Sequence, residues 1–286
     1  MNIAVLASLY LVLGVGVVLV YRASRVFNFA HGDLMMLGGY GLVVAVGATG
    51  GGLLWSVPAA IAAVAVLGAA IYLVSLRPLA GHGVGSAVIV TVAVGILLRS
   101  VATLAWGPQP RYPATLASFS DTPLRLPGGA VLSIVDVAQI AAAALLFAAV
   151  QLLLHRTTLG VRMRAVAERP ALAAYSGIDL HRLLALSWAL AAASAALGGV
   201  LYSLRVNVQP ELWLVGLKAF VPALIGGMDS VRGLIPGALL VAAVEVLAGQ
   251  FLDPIVQSVA PFAVLLVALW LRPWGLFGSR EELERV

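Results

Sequence analysis

Apolar runs separated by short polar clusters recur along this chain from residue 3 to residue 271. A helix that crosses a bilayer needs about 20 predominantly apolar residues, within roughly 17–25. Nine stretches approach or meet that length: about 3–20, 33–49, 54–76, 86–106, 134–154, 183–203, 212–228, 233–251 and 255–271. The pattern predicts a single all-α domain over 1–286, a polytopic transmembrane helical bundle of eight or nine spans. Two stretches are the least regular. Residues 33–49 are short and carry Gly38, Gly39, Gly41 and Gly47, and residues 212–228 are short and contain Lys218, the one lysine of the chain. The first stretch has no basic lead and no small-x-small site after it. It is therefore expected to stay in place as a span.

Composition agrees with the pattern. The 286 residues are 62% hydrophobic and only 10% charged, where soluble domains run near a quarter charged. The mean hydropathy of +1.06 over this length implies an integral membrane protein. Cysteine is absent, which excludes a disulfide framework and thiolate metal sites. A net charge of +5 would suit nucleic acid, but the basic residues sit at the ends of apolar runs, where they set orientation. If all nine stretches cross and the N-terminus starts outside, twelve basic side chains fall on the inner segments 21–32, 77–85, 155–182, 229–232 and 272–286. Only Arg111, Arg125 and Arg205 fall outside. Demoting 212–228 would move Arg272, Arg280 and Arg285 outside, so this stretch is expected to cross, whole or broken.

Two polar segments are long enough to matter. The outer one, 107–133, is rich in proline and glycine, which preclude a long helix; it reads as a plain loop or as a docking surface. The inner one, 155–182, is "HRTTLGVRMRAVAERPALAAYSGIDLHR". A helix is expected over 161–168. Pro170 then forces a break, because the residue before proline avoids the α region, and it suits the first position of a new helix. "PALAAYS" can form about two turns, Gly177 is a natural stop, and Asp179 can cap the next span. The result is a short separate helix about 10 Å long, flanked by Arg162, Arg164, Glu168 and Arg169. It is either an interfacial connector or a docking element.

At these residues a resemblance enters. Glu168, Ala173–Ala174 and Gly177 form a loose version of the "EAA…G" hallmark of permease subunits in ABC importers. "RVFNFAHGDLMMLGGY", "LIGGMDSVRGLIPGALL" and "LRPWGLFG" occur in the order found in branched-chain amino-acid ABC permeases, and the chain resembles the smaller of the two permeases of that system. Arg232 departs from the pattern, where a small residue or proline is expected. The resemblance implies a bacterial inner-membrane, multi-pass protein, and the count of basic residues implies that its N-terminus is outside and its C-terminus cytoplasmic. It implies a second homologous permease, two cytoplasmic ABC ATPases and an extracytoplasmic solute-binding protein as partners. It also implies that Arg164, Glu168, Pro170, Ala173, Ala174 and Gly177 couple the chain to the ATPase.

The polar cluster Asn28, His31, Gly32 and Asp33 remains. Asn28 and Asp33 are good N-cap residues, and a carboxylate at a helix N-terminus is favoured by the dipole. The cluster suffices as a cap and turn at the inner mouth; a gating or inter-subunit contact there is the other reading. Arg99, Lys218 and Glu245 lie within spans, where charge is costly and usually faces protein or water. Arg99 and Glu245 stand at similar depth, which predicts that they pair. Lys218 is expected to snorkel outward.

No G-x-x-x-x-G-K-[ST] is present, so the chain has no P-loop of its own. His31, His82, His155 and His181 are too scattered for a metal motif, and no nucleophile-elbow pattern occurs. The chain is expected not to be an enzyme and to hold no cofactor. The reading is a permease subunit for branched-chain amino acids or a similar small solute, with urea or short amides as other solutes. An ion-coupled secondary carrier is the alternative from another class.

Overall fold

The computed structural model of the chain describes residues 2–79, 83–125 and 131–278. His82, Arg280 and Arg285 lie outside the described residues. The helices in chain order are α1 (Ile3–Ser24), α2 (His31–Thr49), α3 (Leu53–Ile71), α4 (Val84–Trp106), α5 (Pro113–Leu116), α6 (Ile134–Arg156) and α7 (Thr158–Glu168). They continue as α8 (Pro170–Tyr175), α9 (Leu180–Arg205), α10 (Leu212–Leu217), α11 (Phe220–Gly226), α12 (Leu234–Phe251) and α13 (Pro254–Leu271). A π-turn and a 3-10 turn extend α3, so that one helical segment runs over Leu53–Leu79. Among the described residues, eight helices are long and apolar enough to cross a membrane.

α1 is the hub. About 83% of its apolar window is buried inside the protein, against 6% for α13, so α13 faces its surroundings along nearly its whole length. α1 packs against α6, α9, α11 and α12, while α9 also holds α2 and α3. Within a membrane there is little hydrophobic drive between helices, so packing relies on small residues that let backbones approach. Between α2 and α9 the approach is close. A Cβ on Gly38 would sit 2.5 Å from Ala196 Cα, and one on Gly199 would strike the Met35 carbonyl. The glycines of the irregular 33–49 stretch are thus the contact surface of a helix that forms despite them.

The ninth apolar stretch is split. Leu212–Gly226 is too short for a span and divides into α10 and α11 at Lys218 and Ala219. The chain from Arg205 to Asp229 that contains it nevertheless runs from one end of the bundle to the other. Before it, Arg205 Nη1 lies 2.5 Å from Asp136 Oδ1 at the start of α6. That contact is held by charge, since neither atom makes an aligned hydrogen bond. Gln139, one turn further along α6, donates to Val5 O at the start of α1. After it, Asp229 lies within coulombic reach of Arg22 near the end of α1. The stretch is therefore a broken crossing. Breaks at membrane depth are tolerated where protein covers the freed backbone groups.

The 107–133 segment contains the four-residue α5 and an antiparallel hairpin of β1 (Pro123–Arg125) and β2 (Val131–Ser133). Ser133 and Asp136 form a capping box at the start of α6. Arg111 bridges to Val208 and ties the segment to the chain leaving α9.

The glycine contacts make a stability prediction. Gly38→Val should lower the thermal stability of the detergent-solubilised protein, with overpacking costing on the order of 1–3 kcal/mol or more. Gly47→Ala, whose Cβ would meet nothing within 4 Å, should leave it unchanged or slightly raised. A melting curve of each variant by size-exclusion after heating checks both.

Candidate functional site

α1 stops at Arg25, which takes the left-handed conformation (φ 56°) and donates its N–H to Tyr21 O. From there the chain turns back. Residues 25–30 can reach about 20 Å when extended, and Leu13 lies about 16 Å from the end of α1 at 1.5 Å per residue. That reach is used: His31 Nε2 sits 3.0 Å from Leu13 O, near the midpoint of α1. A Cβ on Gly16 would crowd both His31 and Ser194. The polar cluster thus stands at mid-depth of the bundle instead of at its inner mouth. The physical reason is the missing helix over 26–30, which lets the chain re-enter before α2 begins.

Within the cluster the four residues do different things. Asn28 Oδ1 accepts from Ala30 N at 3.1 Å, and Asn28 O accepts from His31 N. Asn28 is therefore a turn-former just ahead of α2. Because a carbonyl only accepts, His31 carries its proton on Nε2, and Nδ1 is an acceptor. His31 is fully buried, and its Nδ1 and Asn28 Nδ2 have no partner among the described residues. Gly32 meets α10 directly: the Trp213 carbonyl occupies the place of its missing Cβ, and a Cβ on Gly216 would lie 2.5 Å from Gly32 Cα.

Asp33 is not a cap. It is 1% exposed and accepts from Arg99 Nε at 3.0 Å and Arg99 Nη2 at 3.3 Å. The guanidinium also lies 3.5 Å from the centre of the Trp213 ring, a favourable cation–π geometry. Gly95 on α4 admits the carboxylate, since a Cβ there would sit 2.5 Å from Asp33 Oδ2. Thr91, one turn earlier, lies 3.3 Å from both Phe27 O and Phe29 N. α4 therefore follows the re-entrant segment through Thr91, Gly95 and Arg99. Phe29 stacks on Phe220 of α11 with centroids 5.3 Å apart.

Arg99 and Glu245, expected to pair, do not meet. Equal distance from a helix end sets depth but not which side of the bundle a residue faces. Glu245 instead accepts from Lys218 Nζ at 2.6 Å and from the Tyr10 hydroxyl. Lys218 accordingly does not snorkel outward; it stands at the α10–α11 break, and its nearest counter-charge lies sideways on α12. Beside this pair a cavity of about 400 Å³ opens between α1, α9, α10, α12 and α13.

The 155–182 segment stands apart from both pairs. Arg169 is extended (φ −144°, ψ 84°) ahead of Pro170, which begins α8. Gly177 takes φ +79°, and Ile178 N donates to Ala173 O at 3.1 Å, closing the helix. Asp179 Oδ1 then caps α9 by accepting from Arg182 N. Ala173 is buried, but Ala174, Gly177 and Glu168 are exposed, and Tyr175 is 90% exposed. Arg164 donates to the Leu154 carbonyl at the end of α6 and so anchors α7 to a span. His155 lies in the field of Arg22, Arg164 and Arg232, so these basic residues gather at this end.

Several partners escaped sequence reasoning: Trp213, Tyr10, Thr91 and the Phe29–Phe220 stack. They come from segments 62 to 235 positions away from the residues they serve. Only the "LWLVGLK" stretch carried a signal, since a lysine and a glycine interrupt an apolar run there.

The family model described as branched-chain amino acid transport system / permease component matches residues 1–269. The high-affinity branched-chain amino acid transport system permease protein BraD of Pseudomonas aeruginosa is 29% identical, with 98% of this chain and 94% of that protein covered. The corresponding permease LivH of Escherichia coli is 28% identical over 100% of this chain and 96% of its own length. A nucleoside ABC transporter permease, NupB of Lactococcus lactis, matches over 32% of this chain. No solved structure matches.

The two ion pairs predict a pattern of coupling. In double-mutant cycles of stability, Arg99→Ala with Asp33→Ala should deviate from additivity by about 0.5–3 kcal/mol, whereas Arg99→Ala with Glu245→Ala should add within about 0.5 kcal/mol. Denaturation of the purified variants in one detergent supplies the four corners of each cycle.

Proposed function

Because the chain belongs to the family of branched-chain amino acid transport system permease components, we propose that it forms half of the membrane pathway of an ATP-driven importer of branched-chain amino acids. The observation that carries this reading is the family match over nearly the whole chain, with relatives of that name aligned end to end. A second homologous permease completes the pathway, two ATPases dock on the cytoplasmic side, and a solute-binding protein delivers cargo from outside. The chain has no hydrolytic role; the energy comes from the ATPase subunits.

The 155–182 segment is the docking element in this proposal. α8 is short and exposed, and its end runs straight through Gly177, Ile178 and Asp179 into α9. α9 in turn contacts α1, α2 and α3. A push on α8 is thereby passed to the helix that organises the bundle. The gathering of Arg22, Arg164 and Arg232 at this end supports placing it in the cytoplasm, since basic residues favour that side, and so supports an outside N-terminus and an inside C-terminus. The faces left exposed on α4 and α13 are available to lipid and to the second permease.

An ion-coupled carrier fits less well. It needs a carboxylate free to bind the coupling ion, and Asp33 and Glu245 are both bonded to cations.

With its partners in proteoliposomes, the protein should take up leucine only when ATP is supplied, and vanadate should abolish the uptake. Uptake without the ATPases, or uptake collapsed by ionophores, would count for a carrier. Gly177→Val places a β-branched residue at φ +79°, which L side chains resist. Its expected effect is loss of uptake by about tenfold or more, roughly 1.4 kcal/mol in rate terms, with normal membrane insertion. Full uptake by this variant would speak against docking at α8.

A further inference from the structure

We infer that the cavity beside Lys218 and Glu245 is a binding site for the zwitterionic end of an amino acid within the membrane domain. The inference rests on the proposed function for its choice of solute. The geometry on which it stands belongs to the cavity itself.

The volume of about 400 Å³ falls in the range of roughly 300–1,000 Å³ typical of small-molecule sites, which combine apolar walls with a few convergent polar groups. Leu6, Leu9, Val215 and Val246 supply apolar wall. Lys218, Glu245 and Tyr10 converge on one side, and Tyr202, Gln250 and Gln257 add further polar groups. Side chains of Lys218 and Glu245 are 17% and 8% exposed, and they meet at 2.6 Å. Both face a cavity, so neither is sealed into a helix interface.

A charge pair in this position solves a problem that an empty permease shares with a loaded one. Intramembrane charges must be compensated, and removing one partner of a buried pair is strongly destabilising. When the site is empty, Lys218 and Glu245 compensate each other. When an amino acid enters, its carboxylate opposes Lys218 and its ammonium opposes Glu245, with the Tyr10 hydroxyl still donating to the glutamate. Four charges then alternate in sign, and none is left alone. An aliphatic side chain lies against the leucine and valine walls. A solute with only one charge leaves Lys218 or Glu245 poorly opposed. An uncharged amide or nucleoside can hydrogen-bond to these groups but brings no opposing charge to either. Lys218 also sits at the α10–α11 break, so a change of its partner acts directly on the discontinuous segment.

The test uses the permease–ATPase complex in nanodiscs without the binding protein, with radiolabelled leucine as probe. Saturable binding is expected. Excess leucine or isoleucine should displace it, whereas 3-methylbutylamine and 4-methylpentanoate, each carrying one of the two charges, should compete at least tenfold more weakly. Lys218→Met should weaken leucine binding at least tenfold. Because that variant leaves Glu245 unopposed and can fail to fold, Lys218→Met/Glu245→Gln, which removes both charges, is measured beside it. The double variant should assemble with the ATPases, as size-exclusion chromatography of the nanodisc complex reads, while losing leucine binding. Unchanged binding in the assembled double variant overturns the inference, as does the absence of saturable binding to a wild-type complex that still imports leucine when the binding protein is added. Failure of the wild-type complex to import leucine under any condition overturns the proposed function and this inference with it.

Discussion

Charge compensation at membrane depth is the constraint on which the rest of this structure depends. A buried ion in a low-dielectric interior costs several kcal/mol even after relaxation, so each one must find a partner within reach. Among the described residues, besides the Arg205–Asp136 contact at the ends of α9 and α6, two pairs do this deeper in the bundle, Asp33–Arg99 and Glu245–Lys218. In each pair one member stands at an irregular point of the backbone. Asp33 opens α2 just after the re-entrant residues, and Lys218 marks the break between α10 and α11. The other member lies on a continuous helix, α4 or α12. Each pair thus moors an interruption to a regular span.

Close backbone contact makes those interruptions possible. Non-helical backbone inside a membrane survives only where protein covers it. The re-entrant run is covered by α1 through His31 and by α4 through Thr91, and α10 covers Gly32. Gly16, Gly32, Gly95 and Gly216 are the points at which a side chain would push these elements apart. The two irregular segments also touch each other through the Phe29–Phe220 stack and the Gly32–Gly216 contact. The centre of the bundle is consequently one connected polar and aromatic patch within an apolar shell.

In the permease role proposed above, a moving part stands at each end of this arrangement. At one end the α7–α8 elbow is anchored to α6 by Arg164 and runs into α9 by way of Gly177. Toward the other end, the cavity beside Lys218 lies between the hub helix α1 and the peripheral α13. α9 joins the two, because it begins at the elbow and brings Tyr202 to the cavity wall. A permease that couples a cytoplasmic motor to a solute needs such a member, and α9 is the longest uninterrupted α-helix among the described residues.

How much of this was legible without coordinates follows from the kind of information each feature uses. Span number and position come from local composition, because about 20 apolar residues satisfy a bilayer wherever they occur. The elbow was legible for the same reason. Proline at a first helical position, glycine at positive φ and aspartate at an N-cap act within five residues of themselves. Gly177 therefore ends α8, and Asp179 begins α9, as their types dictate. The partners of charged residues were not legible. Depth along a span is a one-dimensional property, and it made Arg99 and Glu245 look like a pair. Which side of the bundle each one faces depends on helix rotation and packing. Those are decided by glycine contacts between α2, α9 and α10, and only the assembled tertiary structure contains them. The same holds for His31: its sequence marks a polar turn, but its place at mid-depth follows from a non-helical run folding back along α1, held there by a hydrogen bond to a carbonyl eighteen residues earlier.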